Sequence, residues 1–173
     1  MKLPANMIIG GILVALVLGA AGLSLVWTPH EFSQMNISGK FAPPSETYWL
    51  GTDQLGRDVV SQLMAAARNS MTVALAAVLL GGTIGTALGL LASAIGGWVE
   101  DVVMRIADIG FAFPALLFAI MLAAVFGPSL TNAVLAIAFI NIPVFARVAR
   151  ASANQIWTRE YVMAAQAAGM GRA

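Results

Sequence analysis

Residues 7–27 carry no charged side chain, and neither do residues 71–95. At 1.5 Å per residue a helix over the first run is about 31 Å long, enough to cross a hydrocarbon layer of about 30 Å. Within that layer every backbone N–H and C=O needs an internal partner, which leaves helices and closed barrels as the only spanning structures. The first run exceeds the core of a secretory signal, so it is read as a retained span rather than a cleaved leader.

Composition points the same way. Of 173 residues, 60% are hydrophobic and 10% charged, against roughly 25% charged in a soluble domain. Too little polar surface remains to enclose a core in water, so membrane lipid is the expected surrounding. A formal net charge of +1 lacks the basic footprint that nucleic-acid binding requires. With no cysteine and a single histidine, a disulfide framework and a cysteine- or histidine-rich metal site are both excluded. Phosphate-loop, nucleophile-elbow and His-Glu-x-x-His patterns are lacking, so no enzymatic role and no cofactor are expected.

The fold class expected is an all-α membrane protein with three successive segments. Residues 1–28 form an N-terminal transmembrane helix, 29–69 an extracytoplasmic loop with an interfacial helix, and 70–173 the remaining transmembrane part. The loop is proline-containing and charged, and its second half repeats Leu55, Val59, Leu63 and Ala67 at intervals of four. That spacing predicts a short amphipathic helix on the membrane surface, capped by Thr52 or Asp53. Further spans are expected over 71–95, over 105–126 with Pro114 inside, and over 130–145, broken by Pro143. Residues 151–173 read as a helical hairpin in water, giving four spans.

Orientation follows the basic residues. With the N-terminus inside, Lys2, Arg105, Arg147, Arg150, Arg159 and Arg172 are cytoplasmic, against Lys40, Arg57 and Arg68 outside, which favours a cytoplasmic N-terminus. Trp27, Trp49, Trp98 and Trp157 all fall near predicted membrane ends, as an interfacial aromatic belt requires.

Ala77, Gly81, Gly85, Gly89 and Ser93 recur every four residues and predict one helix stripe where another backbone approaches closely. Asp101, Arg105 and Asp108 share a helix face, where two carboxylates flanking one guanidinium predict a mutually neutralised cluster in preference to a proton relay. His30 reads as a solvated loop residue. Only Thr131, Asn132 and Asn141 make the last span polar, so a gradient-driven transporter is poorly supported.

LGTDQLGRDV at 50–59, with SQLMAAARNS after it, resembles the signature opening the membrane domain of the second permease subunit of dipeptide, oligopeptide and nickel ABC importers. The signature positions are Gly51, Thr52, Asp53, Gly56, Arg57 and Asp58. GGWVEDVVMRIADIGFAFPALL at 96–117 resembles the loop and third span of that family, and REYVMAAQAAG at 159–169 its ATPase-engaging cytoplasmic loop.

The resemblance implies a six-span permease of the bacterial inner membrane, of which this chain holds four spans and stops inside the coupling loop. It implies transport of di- or oligopeptides, with nickel or a glutathione-type solute as alternatives. The implied partners are a homologous permease, two cytoplasmic ABC ATPases and an extracytoplasmic solute-binding protein. Coupling is assigned to Glu160, Tyr161, Met163, Ala164, Ala165 and Gly169. The family's usual glutamate position is taken by Met163, and Glu160 lies one turn earlier. A membrane assembly or regulatory protein without transport activity is the reading from a different class.

Overall fold

A computed structural model of the chain describes residues 4–169. Among them the regular structure is helical: α1 (Ala5–Leu23), a 3-10 turn (Ile37–Gly39), α2 (Val59–Ile95), α3 (Gly97–Ala112), α4 (Ala115–Phe126), α5 (Leu130–Trp157) and α6 (Glu160–Ala167). The chain divides into two compact units, residues 1–72 and 73–173, and α2 runs through both.

In the first unit α1 exposes nearly all its apolar side chains, and of its residues only Ala21 is buried, as expected of a helix bathed in lipid. The loop after it is folded rather than irregular. Phe41 N donates to Asp53 O at 3.1 Å, Thr52 N to Ala42 O at 3.1 Å and Val59 N to Gly51 O at 3.2 Å. The expected interfacial helix is not a separate element. Its helical residues, 59–68, are the first turns of α2, which continues without a break because no proline or glycine occurs between 59 and 80. The N-cap is Asp58 rather than Thr52 or Asp53, since Asp58 accepts from the amides of Val60 and Ser61. Leu55 sits in the turn before it. The buried face is also another one: Ser61, Met64 and Ala65 are buried, whereas Leu63 is exposed.

In the second unit, left-handed Gly96 and Gly97 end α2 and open α3. The third span is not one straight helix. Pro114 disfavours the α conformation at Phe113, which is extended (φ −81°, ψ 122°), and α3 and α4 meet there at 79°. Gly127, at φ +81°, ends α4, and Ser129 caps α5 by accepting from Asn132 N at 3.1 Å. Helix α5 passes through Pro143 and reaches Trp157, so the expected break does not occur. Neighbouring helices make prolines tolerable in membrane helices, and Pro143 is buried with its ring beside Gly110 of α3. The expected hairpin is therefore the tail of α5 followed by α6, and residues 170–173 of it lie outside the described residues.

The register between helices fixes the path of the chain. Gly81 faces Ala138 and Asn141, Gly85 faces Ile142 and Phe145, and Gly89 faces Ala146 and Ala149, so α2 and α5 run parallel. Glu100 meets Arg150, Asp108 meets Arg147, and Phe118 stacks on Phe139, so α3 and α4 run antiparallel to α5. Between the level of Asn154 and Leu130 the chain must climb back about 36 Å at 1.5 Å per α5 residue. The bent pair thus makes one crossing. With α1, α2 and α5, each long and apolar enough to span, it gives four.

Candidate coupling site

Helix α6 is short and open. Thr158 and Arg159 separate it from α5, with Arg159 N donating back to Ile156 O at 3.0 Å. Arg159 O accepts from the amides of Val162 and Met163 at 3.0 Å each, and Glu160 places a carboxylate where the helix dipole favours one. At its far end Gly169 takes φ +91° with open space around it. There the left-handed backbone, not packing, demands glycine. No described residue of α6 is buried. Tyr161 and Met163 are 67% and 54% exposed, Ala164 is exposed, and only Val162 and Ala165 are partly covered.

What holds α6 in place lies one turn earlier. Asn154 Oδ1 accepts from Ser93 Oγ at 2.6 Å, and the same hydroxyl accepts from Trp157 Nε1 at 2.9 Å. Asn154 Nδ2 reaches Glu100 Oε1 at 3.3 Å, and Arg150 Nε donates to that same oxygen. The end of α2, the start of α3 and the last turn of α5 are thereby tied at the point where α6 departs. Sequence reasoning placed Ser93 in the small-residue stripe and Trp157 in the aromatic belt, but missed Glu100 and Asn154. The spacing of Arg150, Asn154 and Trp157, one helix face, was the available signal.

The small-residue stripe lies against α5 of the same chain. A Cβ on Gly81 would stand 2.7 Å from Ala138 O, one on Gly85 2.8 Å from Phe145 Cβ, and one on Gly89 3.0 Å from Ala149 Cβ. The expected Asp101, Arg105 and Asp108 cluster does not close on itself. Asp108 pairs instead with Arg147, which also lies 4.3 Å over the Phe111 ring. Antiparallel packing of α3 on α5 brings Arg147 to Asp108. Asp101, Arg105, Asp108 and Arg150 line an open polar cleft.

The signature residues build a clamp in the first unit. Asp53 Oδ1 accepts from the amides of Leu55 and Arg57 at 2.8 and 2.9 Å, and Oδ2 from Arg57 Nε at 2.9 Å and Gln62 Nε2 at 3.1 Å. The Arg57 amide leads the effects that draw the Asp53 carboxyl well below the ordinary carboxylate range. At Asp58, burial alone raises the value, but bonds from the Ser61 hydroxyl and amide, His30 and Val60 together bring it down. Thr52 Oγ1 accepts from Ala42 N at 2.8 Å and donates to Gly39 O. Gly51 and Gly56 are left-handed, and a side chain there would collide with Ala42 O and Asn36 O.

His30 is not simply solvated. Its amide donates to Ser61 Oγ at 2.9 Å, Nδ1 lies 3.4 Å from Asp58 Oδ2, and its ring packs 4.9 Å from Tyr48. A proline before it and a buried serine across from it draw the loop onto α2. Among the described residues no three His, Asp or Glu side chains converge as a metal set would.

Residues 81–173 match the family described as binding-protein-dependent transport system inner membrane component. The chain belongs to this family. The match takes in the glycine stripe, the Ser93 network and α6, and the transport component is accordingly a multi-pass membrane protein. It is 38% identical over 163 residues to the dipeptide transport system permease protein DppC of Alkalihalophilus pseudofirmus, covering 94% of this chain and 54% of that protein. It is 37% identical over 154 residues to the probable D,D-dipeptide transport system permease protein DdpC of Escherichia coli, covering 87% and 52%. To the nickel transport system permease protein NikC of Escherichia coli it is 36% identical over 160 residues, covering 92% and 58%. The chain spans about half the length of these curated relatives.

Proposed function

We propose that this chain is membrane-spanning permease sequence of a bacterial peptide ABC importer, without catalytic chemistry of its own, and that α6 is the element its ATPases grip. The observation that carries the reading is α6 itself. It is a two-turn helix, exposed on every described residue or only partly covered, small at Ala164 and Ala165, ended by a left-handed glycine, and standing on a polar joint among three spans. Such a helix fits a groove on another protein, and motion imposed on it passes directly into α2, α3 and α5.

In this reading the N-terminus and α6 are cytoplasmic and residues 29–69 extracytoplasmic. A homologous permease completes the path, two ATPases supply energy and an extracytoplasmic binding protein delivers solute. Peptides are favoured because relatives named for dipeptide transport match over most of the chain. The nickel and glutathione permeases among the relatives mark the alternative solutes. Co-expression with the candidate ATPases and purification in mild detergent tests the reading. The protein is expected to bring the ATPases with it, and Ala164→Arg, on the exposed face of α6, to abolish this. Failure to associate, or association indifferent to Ala164→Arg, overturns it.

A further inference from the structure

The loop between α1 and α2 carries large apolar side chains that the first unit leaves uncovered, and one group of them is gathered at the end of α1. Helical hydrogen bonding continues past Leu23, with Val26 N donating to Leu23 O at 3.0 Å and Trp27 N to the same oxygen at 2.9 Å. Leu25 and Val26 project from this extra turn 71% and 89% exposed. Trp49, far along the loop, returns to it: its ring lies 6.5 Å from that of Trp27, tilted 46°. Trp49 and its neighbour Leu50 are 59% and 55% exposed.

This return is built, not incidental. Ser45 N donates to Tyr48 O at 2.8 Å, Tyr48 N to Ser45 Oγ at 3.1 Å and Gly51 N to Tyr48 O at 3.0 Å. Tyr48 is held by the His30 ring, and Gly51 by a backbone conformation that a side chain would not permit. The turn at 48–50 therefore has a fixed direction.

The level of the membrane at this point can be read independently. Arg68 is the last charge before the uncharged run of α2, and its guanidinium donates to Ser24 O at 3.3 Å. A guanidinium is costly in hydrocarbon and settles at the headgroup boundary. Ser24, directly after α1, therefore lies at that boundary. Trp27 is one turn beyond it, the depth that indole rings prefer, and Trp49 is packed beside Trp27.

We infer that the 48–50 turn is a membrane anchor: Trp49 and Leu50 seat in the lipid interface beside Leu25, Val26 and Trp27, and so lay the extramembrane loop down on the bilayer. The occupant of this surface is lipid because exposed Leu25, Val26 and Trp27 directly follow the exposed apolar side chains of α1, and Trp49 packs beside Trp27. An amphipathic ring and an aliphatic side chain also suit the boundary between headgroup and acyl chain. The inference is independent of what the protein transports and of which leaflet is concerned.

The sequence has no cysteine, so single spin labels can be placed on the full chain in phosphatidylcholine vesicles. A nitroxide on Leu50→Cys is expected to relax with oxygen in preference to a water-soluble nickel chelate, as one on Leu23→Cys does. The reverse preference is expected for Glu46→Cys, exposed in the same loop. If the label itself disturbs the turn, the chain retaining Trp49 alone, with Phe at positions 27, 98 and 157, gives a second reading. Its emission is expected to fall in vesicles brominated near the headgroup and to resist iodide. Chelate accessibility at Leu50→Cys equal to that at Glu46→Cys, or Trp49 emission lost to iodide and untouched by brominated lipid, overturns the anchor.

Discussion

The indole of Trp157 donates a hydrogen bond to the hydroxyl of Ser93, 2.9 Å away and 64 residues earlier. The same hydroxyl donates to Asn154, so one small polar side chain at the end of α2 holds both groups of α5 that precede α6. Replacing Ser93 by alanine leaves the Trp157 N–H and Asn154 carbonyl without that partner. Unmade bonds of this kind cost about 1–3 kcal/mol each in buried sites, and measured values in membranes average nearer 0.6 kcal/mol. Ser93→Ala is therefore expected to lower stability by about 1–2 kcal/mol and to weaken the coupling of ATP hydrolysis to transport more than it weakens ATPase binding. Detergent unfolding and paired hydrolysis and uptake assays measure both.

The stripe on α2 separates two glycines that look alike in the sequence. A Cβ on Gly89 would enter contact with Ala146 O and Ala149 Cβ, both set in helix α5, whereas one on Gly82 would meet only the Phe145 ring at 3.6 Å. Gly89→Ala is expected to force α2 and α5 apart and cost about 1–3 kcal/mol, while Gly82→Ala is tolerated. Thermal unfolding of the two variants side by side checks the difference, and equal loss from both contradicts the packing described.

The clamp at 51–58 should resist mild acid. Asp53 and Asp58 have folded values below the ordinary aspartate value of 3.8, so their contribution is complete above that value and is lost only as pH falls below it, toward the folded values. Hydrogen exchange over residues 36–62 is expected to be as protected at pH 5 as at pH 7, after correction for intrinsic rates. Asp53→Asn, which keeps the shape but weakens the bonds to the Arg57 and Leu55 amides and removes the ion pair, should expose the loop at both pH values.

Much of this was legible from residue spacing. The uncharged runs, the interval of four from Ala77 to Ser93 and the proline at 114 led directly to membrane helices, a close helix contact and a break. Misreadings came where a partner distant in sequence decides. The repeat of Leu55, Val59, Leu63 and Ala67 suggested a surface helix, but the loop covers the face holding Ser61 and Ala65 instead, and left-handed Gly56 keeps Leu55 out of the helix. Asp108 looked paired with Arg105 because both lie on α3, and only the antiparallel packing of α5 brings Arg147 within reach. Nothing local announces Glu100, and Asn154 is signalled only by sharing a helix face with Arg150 and Trp157, since the role of both exists only where three helices meet.

The orientation proposed above places Ser45, exposed at the base of the Tyr48 turn, outside the cell membrane. In intact cells whose outer membrane has been made permeable, an impermeant maleimide is expected to label Ser45→Cys without lysis. Labelling that requires lysis reverses the orientation.

The central claim, that α6 is gripped by an ATPase, is tested most directly by cross-linking from Met163, whose side chain is exposed on that helix. With Met163→Cys as the sole cysteine in the chain and a cysteine at the rim of the ATPase groove, oxidation is expected to give a disulfide-linked pair. Its yield should change between nucleotide-free and ATP-bound states. A Met163→Cys chain that forms no such pair, while its cysteine stays freely reactive in the assembled complex, contradicts the account.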